Sequence, residues 1–191
     1  MGTKAIVHVI DDDEAVRQSI EFLLRTSGLT ARTYGSASAF LAAVPSIDSG
    51  CVITDVRMPE ISGIDLLQRL AERRIKIPVI VITGHGDVPL AVEAMKAGAV
   101  DFLEKPFDDE LLLRSVRAAL DRSQKNAERE SERAELVARI AGLTNRERDV
   151  LDGLVAGKPN KIIAFDLSIS PRNQVSWSSK IARWLPLGQW R

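Results

Sequence analysis

The stretch IVHVIDDDEAVRQSIEFLLRTSG, residues 6–28, determines the predicted fold, because it contains one complete strand–helix unit. Its first part, Ile6–Ile10, is a short apolar run that ends in three carboxylates, a pattern typical of a buried strand. The next apolar residues follow a period of about 3.6, which predicts the buried face of a helix that ends before Gly28. These residues are Val16, Ile20, Leu23 and Leu24.

The same strand–helix unit recurs four more times in the first part of the chain. Further strands are predicted at 30–34, 51–54, 79–82 and 102–103. Helical spacings of apolar residues follow them at 37–44, 67–71, 88–95 and 112–120. This alternation predicts an α/β (βα)5 fold, in which helices cover both faces of a doubly wound parallel sheet.

The charge distribution divides the chain into two parts. The 191 residues include 26 Lys and Arg and 26 Asp and Glu, so the formal net charge is zero. Residues 1–121 carry 13 basic and 18 acidic side chains, whereas residues 122–191 carry 13 basic and 8 acidic ones. A net charge of −5 followed by one of +5 indicates two units with different partners, the basic one suited to nucleic acid.

The composition also excludes several classes of protein. The single cysteine, Cys51, excludes an intramolecular disulfide framework and a cysteine-based zinc site, and it indicates a reducing compartment. The first residues lack a signal-peptide core, and no apolar run approaches the ~20 residues that span a bilayer. We therefore expect a soluble cytoplasmic protein that does not bind a membrane.

The basic half begins with a helical linker and continues into a small all-α segment. Residues 122–141 lack Pro and Gly and mix both charges, which predicts a solvated helix; a thin apolar stripe leaves a short dimerising seam as the alternative. From 142 onward, Thr144 and Glu147 form a capping box, a second short helix is predicted at 161–167, and Pro171 suits the start of a third. Helix, short helix, turn and helix in a basic segment indicate a helix-turn-helix domain at 142–191.

Acidic side chains lie where a parallel sheet places its ligand sites. Asp11, Asp12 and Asp55 follow or end predicted strands, and the carboxyl ends of parallel strands meet at one edge of the sheet. Converging carboxylates repel one another unless a cation neutralises them, and oxygen ligands of this kind suit Mg²⁺. A carboxylate beside Mg²⁺ can attack a phosphoryl group, with Lys105 and Thr83 supplying a cation and a hydroxyl donor for its oxygens.

The residues at these strand ends belong to four sequence motifs that resemble those of a known family: VIDDDE (9–14), ITDVRMP (53–59), VITGHGD (81–87) and DFLEKPF (101–107). They resemble the receiver domain of two-component response regulators over residues 4–121, and 84–107 is similar to the FixJ branch. The resemblance implies Asp55 as the phospho-acceptor, an Mg²⁺ site completed by Asp11, Asp12 and the backbone carbonyl of Arg57, and a sensor histidine kinase as partner. It also implies Thr83 and Phe102 as the switch pair, and homodimerisation on phosphorylation through 88–97, 100–103 and 108–120.

Three further residues are of types that often act as metal ligands, bases or redox groups, but each has a simpler structural interpretation. We interpret His85 as a loop residue positioned by its neighbouring glycines. His8 lies within a strand and is interpreted as adjacent to the core, and Cys51 as the start of a buried strand without a redox role.

The segment 143–172 resembles the LuxR/FixJ-type helix-turn-helix domain, which implies promoter DNA as a partner and a third helix that enters the major groove. After Arg172 the sequence departs from that family: three Trp (177, 184, 190) follow, Pro186 is expected to stop the helix, and residues 187–191 predict no fourth helix. An altered reading frame is one hypothesis, which sequencing the gene through codon 173 tests. The predicted DNA contacts are Lys161, Arg172, Ser176, Lys180 and Arg183.

Three functions remain open from sequence. The first is a response regulator and transcription factor, which accepts a phosphoryl group and can lose it by autodephosphorylation but is not otherwise an enzyme. The second is a receiver that signals only by phosphorylation and protein contact, its DNA-binding domain disabled by the tail. The third is a phosphatase or phosphotransferase that acts on a small substrate. Arg57 argues against this function, because it occupies the position two residues after Asp55 where such an enzyme would need a general acid.

Overall fold

The structure is a computed structural model that describes residues 5–47, 49–84 and 88–168. The chain divides into two compact units, Met1–Glu128 and Arg129–Arg191. Five parallel strands form the sheet of the first unit in the order β2-β1-β3-β4-β5. These strands are β1 (Ile6–Ile10), β2 (Thr30–Tyr34), β3 (Gly50–Asp55), β4 (Val79–Thr83) and β5 (Asp101–Glu104).

The predicted strands are all present, and three of them are longer than the apolar runs. Polar residues at their ends still pair in the sheet: Asp55 lies opposite Ile82, and Thr83 lies opposite Glu104. Parallel pairing depends on backbone groups, so a strand continues past its last apolar side chain. The apolar runs therefore stop one residue before the strands do, and Asp55 and Thr83 are the last residues of β3 and β4, as expected from the sequence.

Five helices accompany the strands. They are α1 (Glu14–Thr26), α2 (Ala37–Ala43), α3 (Gly63–Glu72), α4 (Val88–Lys96) and α5 (Asp109–Ala141), with a short 3₁₀ turn at Val44–Ser46 after α2. The core consists of two separate apolar clusters. One contains Ile10 and Phe40, and the other contains Val9 and Leu112. The (βα)5 prediction is confirmed.

Helix α3 approaches the end of β3 more closely than a side chain would allow. A Cβ atom added to Gly63 would lie 2.3 Å from the backbone oxygen of Asp55. The Gly63 N–H donates to the carbonyl of Val56 at 3.0 Å, which holds the first turn of α3 against the loop after β3. Glycine at 63 thus lets α3 fix the backbone position of Asp55.

His8 and Cys51 are both buried in the sheet and neither joins a reactive cluster. The His8 Nδ1 lies 3.1 Å from the Tyr34 hydroxyl, and the ring also contacts Phe40. Among the described residues, Nε2 of His8 is a buried polar atom without a hydrogen-bond partner. Burial, with a smaller contribution from the charge of Arg32, lowers the pKa of His8 to about 4. Burial raises the pKa of the Cys51 thiol to about 12, so the thiol stays protonated.

The lowered pKa of His8 predicts a loss of stability in mild acid. Between pH 6.5 and 4 the unfolded chain binds a proton at His8 that the folded chain does not, so the free energy of unfolding falls as the pH falls. At pH 5 this loss amounts to about 2 kcal/mol relative to pH 7. Urea denaturation of the wild type and of His8→Gln at both pH values measures it. Parallel pH profiles for the two proteins would contradict the assignment.

The second unit includes the end of α5 and two short helices, α6 (Asn145–Val155) and α7 (Asn160–Asp166). The segment 122–141, interpreted as a helical linker, is the second part of α5. The capping box is confirmed: the Thr144 side chain accepts from the Glu147 N–H, and the Glu147 carboxylate accepts from the Thr144 N–H. The buried core of this unit contains Val150, Leu151 and Ile163.

Helix α7 begins one residue earlier than predicted, after Pro159. The predicted third helix, the three Trp residues and His85 lie outside the described residues, and so does the segment for which no fourth helix is predicted. Among the helices that the structure describes, none is both long enough and apolar enough to cross a membrane.

Candidate functional site

Three side chains meet at the carboxyl edge of the sheet. Asp11 follows β1, Asp55 ends β3, and Lys105 follows β5. Because β1 and β3 are neighbours and the chain leaves them in opposite directions along the sheet, this edge is the place where doubly wound folds bind ligands. Asp11 and Asp55 are both buried, with 2% and 6% of their surface exposed.

The Lys105 ammonium bridges the two buried carboxylates. Its Nζ lies 2.7 Å from Asp11 Oδ2 and 2.9 Å from Asp55 Oδ1. Burial by itself lowers the pKa of Lys105, but the hydrogen bonds and charges of Asp11 and Asp55 outweigh it, so the pKa is raised. The ammonium therefore stays charged at neutral pH and neutralises part of the negative charge of the pair.

Backbone N–H groups hold the other oxygen of each carboxylate. Asp55 Oδ2 accepts the N–H of Arg57 at 2.6 Å, and Asp11 Oδ1 accepts the N–H of Asp13 at 2.9 Å. Asp13 in turn caps α1, where its side chain accepts from the backbone N–H groups of Ala15 and Val16. Both carboxylates are thus fixed in orientation on two sides.

The third predicted metal ligand, Asp12, does not join this cluster. Asp12 is exposed and lines an open cleft with Arg57, Met58, Leu90 and Glu93. Among residues 5–47, 49–84 and 88–168, no group of three or more His, Cys, Asp or Glu side chains is placed to hold a metal ion. The donor chemistry nevertheless fits a hard divalent cation, because two buried carboxylates converge on one positive group and a third follows Asp11 directly.

The predicted switch residues occupy adjacent strands. Thr83 ends β4 and is completely buried, and its carbonyl accepts the Lys105 N–H at 2.7 Å. Phe102 lies in β5 and is half-buried against an apolar cluster. The Asp101 carboxylate holds this strand: it accepts from the Phe102 N–H and from the Ser115 hydroxyl of α5.

An apolar face of α4 is exposed beside this switch region. Val88, Val92 and Met95 have 77%, 45% and 50% of their surface exposed, and they line a shallow groove together with Ala91 and Lys96. Large apolar side chains grouped on a surface mark interaction sites in soluble proteins. This helix is part of the face for which the family resemblance implies dimerisation.

Only one of the predicted DNA contacts lies within the described residues. Lys161 is exposed on α7. Arg172, Ser176, Lys180 and Arg183 lie outside the described residues.

Sequence reasoning missed one residue beside the acidic cluster. Arg17, on α1, directs its Nη1 to the backbone carbonyls of Asp11 at 2.7 Å and Asp12 at 3.0 Å. The sequence offers no signal for these contacts, because Arg17 binds two backbone carbonyls rather than a side chain at helical spacing.

Both halves of the chain match known protein families. Residues 7–117 match the response regulator receiver domain, and residues 141–184 match the bacterial regulatory proteins of the luxR family. The second match includes 173–184, where the sequence departs from the typical continuation of that family.

Individual relatives span most of the chain. The chain is 60% identical to the transcriptional regulatory protein FixJ of Azorhizobium caulinodans over 166 residues, which cover 87% of this chain and 79% of the relative. Among solved structures, the response regulator StyR covers 98% of this chain and 94% of its own at 36% identity, with a TM-score of 0.83. Full-length FixJ from B. japonicum covers 98% and 92% at 44% identity, with a TM-score of 0.62.

Proposed function

The chain belongs to the response regulators that join a receiver domain to a LuxR-type DNA-binding domain, and on this basis we propose that a sensor histidine kinase phosphorylates it on Asp55. The observation that carries the proposal is the buried Asp55 carboxylate at the end of β3, held beside Asp11 by the Lys105 ammonium. The chain is thus a FixJ-like transcription regulator, and phosphorylation is its proposed control.

In the proposed reaction a carboxylate oxygen of Asp55 attacks the phosphorus of the kinase's phosphohistidine. The new O–P bond forms as the P–N bond breaks, and the imidazole of the kinase leaves with the electron pair. Lys105 pairs with the transferred phosphoryl oxygens, and the Arg57 N–H keeps the Asp55 side chain in place during the attack. We propose that the chemistry extends no further than phosphoryl acceptance and autodephosphorylation, in which water hydrolyses the acyl phosphate and releases inorganic phosphate, without turnover of a small substrate.

Mg²⁺ is the proposed cofactor of this step. Asp11, Asp12, Asp55 and the backbone carbonyl of Arg57 are its proposed ligands. When bound, a divalent cation neutralises charge on the carboxylates and on the incoming phosphoryl oxygens. The buried position of Asp11 and Asp55 supports this role, since water screens their mutual repulsion only weakly.

Phosphorylation is proposed to change the surface of the receiver through Thr83 and Phe102. The Thr83 hydroxyl is drawn toward the phosphoryl group, and the Phe102 ring turns into the space that the threonine leaves. Val88, Val92 and Met95 on α4 then pair with the same face of a second copy, which their exposure supports. We propose the homodimer as the DNA-binding form.

The DNA contacts are proposed to come from Lys161, Arg172, Ser176, Lys180 and Arg183, mainly to phosphates. The match to the luxR family does not favour the alternative of a receiver that signals by protein contact alone. Both proposed partners, the phosphohistidine donor and the promoter, lie in the cytoplasm, where we propose that the chain works.

Electrophoretic mobility shift with the whole chain tests the proposal. DNA is first enriched from a random pool with phosphorylated protein, and is then bound with and without phosphorylation at low and at moderate salt. We expect a sequence-specific shift that requires phosphorylation and survives the higher salt, although phosphate contacts weaken with salt. Normal Mg²⁺-dependent phosphorylation without any specific shift would contradict it.

A further inference from the structure

Arg17 holds the backbone of the loop that carries the acidic pair Asp11 and Asp12. Its Nη1 nitrogen lies within hydrogen-bond distance of both successive carbonyls, at 2.7 Å and 3.0 Å. An added Cβ at Gly35, just after β2, would lie 3.6 Å from the same nitrogen, so the guanidinium fits between this glycine and the acidic loop. Hydrogen bonds from a charged donor are about twice as strong as neutral ones.

We propose that Arg17 is a positioning residue for the cation site, an inference that rests on the proposed function. By fixing two consecutive peptide groups, Arg17 sets the direction in which the Asp12 side chain leaves the backbone. Asp11 is already fixed by the Asp13 N–H and by Lys105, whereas Asp12 is exposed on the loop. Arg17 therefore acts chiefly on the orientation of Asp12.

The positioning role and the charge of Arg17 have opposite effects on cation binding. As a nearby positive charge, the guanidinium repels Mg²⁺, so its removal by charge alone would strengthen binding. As a clamp on the loop, it preorganises the ligands, so its removal would weaken binding. Groups that orient metal ligands typically contribute about 10- to 100-fold in affinity. The sign of the change in Mg²⁺ affinity thus separates the two roles.

The chain provides a matched control on the same helix. Arg25 lies at the end of α1, where it pairs with Glu21 at 3.5 Å and has a side chain that is 71% exposed. Arg17→Met and Arg25→Met remove the same charge and the same donors from α1, but only the first loses contact with the acidic loop. Arg17→Lys keeps the charge and replaces the planar fork by one ammonium.

Calorimetric titration of the unphosphorylated whole chain with MgCl₂ tests the inference, alongside melting temperatures of the same samples. We expect Arg17→Met to raise the Kd for Mg²⁺ about tenfold, Arg17→Lys to lie between it and the wild type, and Arg25→Met to match the wild type. An unchanged or lower Kd in Arg17→Met overturns the inference. If Arg17→Met does not fold, a wild-type Kd in Arg17→Lys overturns it.

The outcomes also distinguish this inference from the proposed function. Absence of Mg²⁺ binding by the wild type would overturn the proposed metal site together with the role of Arg17. Normal Mg²⁺ binding by both the wild type and Arg17→Met would overturn the role of Arg17 alone.

Discussion

Asp55→Asn is expected to abolish phosphoryl transfer to this protein while leaving its fold intact. The amide oxygen carries no negative charge and is a poor nucleophile, so the O–P bond cannot form at a useful rate. The shape is preserved, because the amide oxygen can still accept the Arg57 N–H that binds Asp55 Oδ2 at 2.6 Å. Phosphate-affinity electrophoresis after incubation with a phosphorylated kinase or a small acyl phosphate measures the loss.

Asp13→Asn is the matched control for this prediction. It makes the same chemical change at another aspartate, the residue that caps α1. Asparagine caps a helix about as well as aspartate, so the fold should be unaffected. We expect Asp13→Asn to be labelled at close to the wild-type rate. Labelling that persists in Asp55→Asn would refute Asp55 as the acceptor and, with it, the proposed function.

Most of the receiver fold could be predicted from the sequence, because strand and helix periods alternate five times. Ile6–Ile10 and Thr30–Tyr34 were predicted with their observed bounds. The apolar runs 51–54 and 79–82 stop one residue before the observed strand ends at Asp55 and Thr83, since backbone pairing does not depend on the polarity of the side chain. The continuity of α5 from Asp109 to Ala141 follows from a segment without Pro or Gly, but the prediction divided it where the charge pattern changes.

The central residues of the site could be predicted from the sequence, but their surroundings could not. The sequence places Asp11, Asp55 and Lys105 at one edge of the sheet, and the structure brings these three together. Asp12 is adjacent to Asp11 in sequence yet is exposed, because successive side chains at the end of a strand point in different directions. The contacts of Arg17 with two carbonyls depend on the path of the loop, which side-chain periodicity does not reveal.

Lys105→Met is expected to lower the free energy of unfolding and to make it depend more strongly on Mg²⁺. Without the ammonium, Asp11 and Asp55 repel each other across a buried space, and removal of one partner from a buried ion pair costs about 3 kcal/mol. A bound divalent cation can supply the missing positive charge, so Mg²⁺ should stabilise Lys105→Met more than it stabilises the wild type. Urea denaturation with and without MgCl₂ measures both effects, with Lys125→Met, an exposed lysine on α5, as the control.

The same variant is expected to bind Mg²⁺ and to accept a phosphoryl group on Asp55, but to lose phosphorylation-dependent dimerisation. Lys105 follows β5 directly, and its N–H donates to the Thr83 carbonyl, so its ammonium connects the phosphoryl oxygens to the strands that carry Thr83 and Phe102. Sedimentation of the phosphorylated protein measures the association. Because Met leaves the β4–β5 backbone contact in place, a loss of dimerisation would be due to the missing ammonium. Wild-type dimerisation by labelled Lys105→Met would show that the signal reaches α4 without this side chain.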